Sequence, residues 1–131
     1  MRKDIEIPIA KNIQIVAVKE WDKDFLAQTW NVYLVNDRED TIEAVLVMSR
    51  GNSDDLKTST LRHGLGDVAS KTAAKVEYIA EEVLGFTNKY MVTFFAEGQL
   101  FERNFIFEPH SISEEKTETL PMLDMEGIIA K

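Results

Sequence analysis

Apolar and polar residues alternate with period two along much of the chain. Ile5, Ile7 and Ile9 fall on one face of a short strand, and Ile13-Gln-Ile-Val-Ala-Val-Lys19 is a second β-branched run. Trp30, Val32 and Leu34 alternate with Asn31, Tyr33 and Val35 in a third. Ile42, Ala44, Leu46 and Met48 share one face of a fourth, with Val45 and Val47 opposite. Side chains of these types fit a pleated, half-buried surface, and several such runs broken by polar turns predict an antiparallel sandwich or barrel. The polar stretch Asn36-Asp-Arg-Glu-Asp-Thr41 predicts a turn that makes the third and fourth runs hairpin partners. The clearest hairpin lies further on, where Tyr90-Met-Val-Thr-Phe-Phe-Ala96 and Gln99-Leu-Phe-Glu-Arg-Asn-Phe-Ile-Phe107 flank Glu97-Gly98. Tyr90, Val92 and Phe94 share a face there, as do Phe101, Phe105 and Phe107, and cross-strand aromatic pairs add about 0.2–1 kcal/mol each. Only one face of a hairpin packs on the core, so Phe95, together with Tyr33 of the third run, is expected to be partly exposed. Gly127-Ile-Ile-Ala130 reads as a final edge strand.

Two segments break the alternation. Residues 49–72 hold three glycines and many hydroxyls and read as one long loop, a kind of segment that often carries function. Residues 73–84 are ambiguous. Ala73, Val76, Ile79, Ala80, Val83 and Leu84 fall on one helical face, and Gly85 suits a C-terminal cap. Against a helix, Lys71/Lys75 and Glu77/Glu81 would be like-charge pairs four residues apart, so a strand over Val76–Ala80 is the alternative.

Composition narrows the class. The chain has 131 residues, 44% apolar, with seven Phe, three Tyr and two Trp, enough for one core without covalent staples. It has no cysteine, which excludes disulfides, thiolate metal sites and a cysteine nucleophile. Arg2 and Lys3 are not followed by an apolar leader core, because Asp4, Glu6 and Pro8 interrupt it. The longest aliphatic run, Ile15–Val18, is far too short to span a bilayer. A cytoplasmic address is expected. The net charge is −8, from 23 acids against 15 bases, which disfavours general nucleic-acid binding.

Chemistry is sparse. His63 and His110 are far apart, and neither has a partner at metal-ligand spacing. Asp22/Asp24 and Asp54/Asp55 do not continue into a calcium-loop pattern. There is no Gly-x-Ser-x-Gly elbow, no Walker loop, and Gly64-Leu-Gly66 lacks the rest of a dinucleotide fingerprint. One cluster stands out. Arg50, Gly51, Lys57, Thr58, Ser59, Thr60, Arg62 and His63 combine bases, hydroxyls and flexible amides, the ingredients of an anion site. Asp54 and Asp55 offset part of its charge.

Trp30-Asn-Val-Tyr-Leu-Val-Asn36, Val45-Leu-Val-Met-Ser-Arg-Gly51, Lys57-Thr-Ser-Thr-Leu-Arg-His63 and Asn88-Lys-Tyr-Met-Val-Thr-Phe94 together resemble a set of small uncharacterised bacterial proteins of about this length. The resemblance covers nearly the whole chain. Members sometimes carry the label phenylalanyl-tRNA synthetase alpha subunit, but the ATP motifs of a class II synthetase have no counterpart here. The resemblance therefore implies no activity. It does imply that Thr58–His63 is a signature of the group.

The chain thus reads as one mainly β domain over residues 1–131, an antiparallel β-sandwich, immunoglobulin-like or similar, with at most one short helix near 73–84. The leading functional expectation is a non-enzymatic interaction module acting through a sheet edge or apolar patch, with a protein partner or a second copy of itself. One alternative is a small-ligand or anion-binding protein, enzymatic or not, built on the 49–63 loop, in which Lys57, Arg62 and His63 converge on one concave site. Another is a translation-linked accessory protein. No catalytic residue, metal or cofactor is expected.

Overall fold

A computed structural model describes residues 6–120 and 122–131. Among the described residues, nine strands form two antiparallel sheets. The strands are β1 (Ile13–Trp21), β2 (Gln28–Asn36), β3 (Ile42–Asn52), β4 (Leu61–Val68), β5 (Thr72–Ile79), β6 (Thr87–Ala96), β7 (Gln99–Phe107), β8 (Glu118–Thr119) and β9 (Glu126–Ile129). One sheet has the order β5-β2-β1-β9-β8, the other β4-β3-β6-β7. The mainly β, two-sheet architecture agrees with the sequence pattern.

The sheets share one core because their strands alternate. Ile13, Ile15 and Ala17 of β1 and Trp30, Val32 and Leu34 of β2 meet Val45, Val47, Tyr90, Val92, Phe94, Phe105 and Phe107 from the facing sheet. Each large side chain removed from water contributes about 1.5–3 kcal/mol. The aromatic hairpin forms as expected, with Phe94 stacked on Phe101 and Tyr90 edge-on to Phe107. Phe95 is 47% exposed and Tyr33 is partly buried. A second, smaller apolar cluster lies on the outside of the five-stranded sheet, where Leu120 covers Val16, Val18 and Val35. That is why β1 is apolar on both faces.

The structure corrects several local expectations. β2 and β3 are not hairpin partners: β2 pairs with β1 and β5, and β3 with β4 and β6. The Asn36–Thr41 turn carries the chain from one sheet to the other. Buried Asn36 holds it there, donating to the carbonyls of Asp40, Val68 and Ala69. Residues 49–72 are not one loop. β3 runs on to Asn52, and β4 is a glycine-bearing edge strand. Its Gly66 takes a positive φ opposite Val45, where the register shifts. Ala44 also has a positive φ in that irregular stretch. Ile42 and Val45 therefore both face inward, splitting the predicted Ile42–Met48 face.

Residues 73–84 form a strand followed by a single 3-10 turn at Glu81–Val83, not an amphipathic helix. The helical spacing is imitated by a β-bulge between Val32 and Tyr33, which leaves Lys75 rather than Val76 opposite Tyr33. Ile5 of the expected first strand lies outside the described residues, as do Arg2, Lys3 and Asp4. Ile7 is in no strand, and Ile9 makes a single parallel bridge to Glu102. β9 is not an edge strand, since β8 pairs with it on the far side.

The two seams of the sandwich close differently. Along β7, main-chain bonds close it: Ala10 and Pro8 pair with Glu102, and Lys131 exchanges two bonds with Ile106. This also blunts the β7 edge. One end of the sandwich is tied by Arg38, whose guanidinium forks onto Asp40 at 2.8 and 3.1 Å, reaches Glu97 at 3.2 Å and lies over Phe94 and Phe101. The other end carries the connections 22–27, 53–60 and 80–86.

Gly127 lets β9 lie close to β1, because a Cβ there would sit 2.5 Å from the Ala17 carbonyl oxygen. Gly127→Val should destabilise the protein by about 1–3 kcal/mol in urea unfolding, the usual cost of overpacking. Gly64→Ala, where a Cβ meets nothing within 4 Å, should stay within about 0.5 kcal/mol of the parent.

Candidate functional site

The second seam, between β4 and β5, is closed by side chains. Glu77 of β5 reaches across the interior to three strands of the opposite sheet. The Ser49 hydroxyl of β3 donates to Glu77 Oε1 at 2.7 Å, and His63 Nε2 of β4 meets the same oxygen at 2.6 Å. The Tyr90 hydroxyl of β6 donates to Oε2 at 2.7 Å. Facing a carboxylate, which only accepts, Nε2 carries the ring proton. Register explains the convergence: Val47 pairs with His63, and Ser49 pairs with both Leu61 and Tyr90, so these residues share the inner face.

This is a clamp, not a nucleophilic triad. In a triad the base takes the hydroxyl proton and the acid orients the base. Here Ser49 and His63 both donate to the acid, so the Ser49 proton points at the carboxylate and not at the imidazole. Burial, and then the Glu77 charge, push the Tyr90 phenol well above its ordinary range. Tyr33, on the outside of the five-stranded sheet, is pushed up to about 12 by burial and by its hydrogen bond to Glu20.

The sequence-predicted anion residues separate. His63 faces inward to Glu77. Arg62, the preceding residue of β4, falls on the outer face by strand alternation, opposite Met48. Lys57 is bridged to Asn52, two positions beyond Arg50 on β3, which puts it on that outer side. Arg50 and Lys89 are themselves directly paired there. The outer face of the four-stranded sheet therefore gathers Arg50, Arg62 and Lys89, with Lys57 at its end, around Leu46, Met48, Met91 and Ile106. None of the four cations is within ion-pair distance of a carboxylate among the described residues. The Nε of Arg50 is shut off from water with no hydrogen-bond partner. Sequence reading missed Lys89, which lies 27 positions from Arg62 and joins it only through pairing with β3. It also missed Glu77, whose single signal was an acid in an otherwise apolar run.

A further exposed feature is the β1–β2 connection. Asp22 caps it, accepting from the amides of Asp24 and Leu26, and it displays Phe25 and Leu26 at 74% and 82% exposure. Among the described residues, no group of three or more His, Asp or Glu is placed to hold a metal ion. No helix there is long and apolar enough to cross a membrane. No protein family matches the chain, no curated protein is similar to it in sequence, and no solved structure matches its fold.

Two outcomes test the clamp and its tyrosines. Tyr90→Phe leaves Oε2 without its donor and should cost about 1.5–3 kcal/mol in denaturant unfolding, while Phe keeps the packing. The fold favours the neutral phenols of Tyr90 and Tyr33. Their stabilisation is therefore complete below the ordinary tyrosine value of 10 and fades as pH rises, for Tyr33 between 10 and about 12. Spectrophotometric titration of tyrosinate should show Tyr90 ionising only with unfolding, and the tyrosine signal of Tyr90→Phe should lose that step.

Proposed function

We propose that this protein is a non-enzymatic interaction module that docks an acidic segment of a partner protein on the outer face of its four-stranded sheet. The observation that carries this reading is the row of unpaired cations Arg50, Arg62 and Lys89, flanked by Lys57, across a face of half-exposed apolar side chains. In a chain of net charge −8, such a cluster stands out. The rest of the surface repels acidic partners, and this face attracts them, which directs encounter to one place.

The apolar component separates a protein partner from a bare polyanion. Met48 and Met91 lie side by side at the centre of the face, and methionine adapts its shape to apolar side chains. The Arg50 Nε is already withdrawn from water, so part of the desolvation that docking requires is complete in the free protein. Three inter-strand spacings of about 4.8 Å make the sheet ~14 Å across, a width suited to one helix or extended segment. The outer face of the other sheet is occupied by Leu120 and its neighbours, which supports the four-stranded sheet as the docking side.

Fluorescence anisotropy with a labelled amphipathic peptide bearing Asp, Glu and Leu tests this. Binding should weaken about tenfold or more in the Arg50→Glu/Arg62→Glu/Lys89→Glu variant, and should weaken as salt rises. Equal binding of a lysine-bearing peptide, or unchanged binding by the variant, would overturn the reading. Binding of heparin or single-stranded RNA in place of the peptide would replace it with a polyanion site. Loss of a dimer in the variant would make a second copy the partner.

A further inference from the structure

The seam clamped by Glu77 opens at the loop-bearing end of the sandwich into a cleft of about 240 Å³. We infer that this cleft binds a small amphiphilic amine, an organic ammonium with a short apolar body. Glu77 and Tyr90 lie along it with Leu61, Ile79 and Val83. Ile79 lies two positions beyond Glu77 on β5 and so shares its inner face. Leu61 shares the inner face with Ser49 across the β3–β4 pairing. The Glu77 side chain retains 14% of its exposure, so the carboxylate is reachable from solvent.

Which groups have protons to give decides the ligand class. The Ser49 and Tyr90 hydroxyls and His63 Nε2 all spend their protons on Glu77. Asn88, also on the cleft, spends its amide on the carbonyls of Val83 and Phe86, and the Thr58 hydroxyl donates to the Ser59 carbonyl. These side chains present lone pairs. A carboxylate has about four acceptor positions, and three are filled at Glu77, two on Oε1 and one on Oε2.

Arg50 and Tyr78 also border the cleft, but strand alternation turns their side chains to the outer faces of the two sheets, away from Glu77, and Ser59 adds a hydroxyl that can accept as well as donate. An anionic ligand entering beside Glu77 would meet its carboxylate and these spent donors. An ammonium would meet its counter-charge, a free acceptor position on Oε2 and hydroxyl lone pairs, with its apolar body against Leu61, Ile79 and Val83. The net charge of −8 raises the local concentration of cations in the same direction. At about 30 Å³ per water-sized group, the cleft takes roughly eight heavy atoms. Arg50 borders both this cleft and the outer sheet face, whereas Lys57, Arg62 and Lys89 of that face do not line the cleft.

Benzylamine, benzyl alcohol and benzoate share one apolar body and differ in charge, so they test this on the full chain by heteronuclear NMR titration. Benzylamine should shift the amides of Leu61, Ile79 and Val83 saturably and raise the thermal midpoint, and the other two should do neither. Glu77→Gln should weaken benzylamine binding about tenfold or more. Val83→Trp fills the cleft while leaving the clamp intact, so it tests the site even if Glu77→Gln fails to fold, and it should abolish the shifts. Arg62→Glu, on the sheet face, should leave amine binding unchanged. The inference is overturned if benzylamine shifts none of these amides, if benzoate or benzyl alcohol binds as tightly, or if Val83→Trp binds as well as the parent.

Discussion

A carboxylate between two apolar sheets is costly unless donors meet its oxygens where it stands. Glu77 sets that demand, and Ser49, His63 and Tyr90, from three strands of the opposite sheet, answer it. The bond set works only if β3, β4 and β6 are in their observed registers and β5 lies at its observed distance. An aliphatic contact in the same place would tolerate slippage, whereas a charge met by three directed bonds does not. The clamp therefore holds the seam of the sandwich that, among the described residues, main-chain pairing leaves open.

The rest of the fold follows from how each boundary is closed. At β7 the chain's own ends supply backbone partners. At the far end, Arg38 draws the β2–β3 connection and the β6–β7 turn together over two phenylalanine rings. The outer face of the five-stranded sheet is covered by the segment carrying Leu120 and Leu123. With those surfaces committed to stability, the outer face of the four-stranded sheet and the cleft beside the clamp are left with chemistry that the fold does not consume. One is basic and apolar, the other rich in acceptors. They select opposite charges although a single strand, β3, contributes to both.

Much of this architecture was legible from alternation alone. Strands 13–19, 30–36, 90–96 and 99–107, the Glu97-Gly98 turn and the partial exposure of Phe95 are local consequences of side-chain type and a two-residue period. What misled was also local in origin. The β4 strand looked like loop because Gly64 and Gly66 accompany its irregular pairing, and β5 looked helical because a bulge set Val76 and Glu77 out of strict alternation. The turn at 36–41 resembled a hairpin because its residue types suit any tight reversal. The pairing of β2 and β3 with different strands shows that it crosses between sheets, and buried Asn36 ties it to Val68 and Ala69.

The candidate sites divide in the same way. The cluster of bases and hydroxyls between Arg50 and His63 was visible in the chain, and Arg62 and Lys57 do stand on one side. His63 does not join them, because adjacent strand residues point to opposite faces, and this simple rule required knowing that the segment is a strand. Lys89 and Glu77 could not be assigned from the chain, since pairing across strands distant in sequence brings them to their partners. Composition and period determined that this protein is a two-sheet, cysteine-free, acidic β-sandwich. Register and sheet order, set by non-local pairing and the packing of one sheet on the other, decided which charges meet and which face is left open.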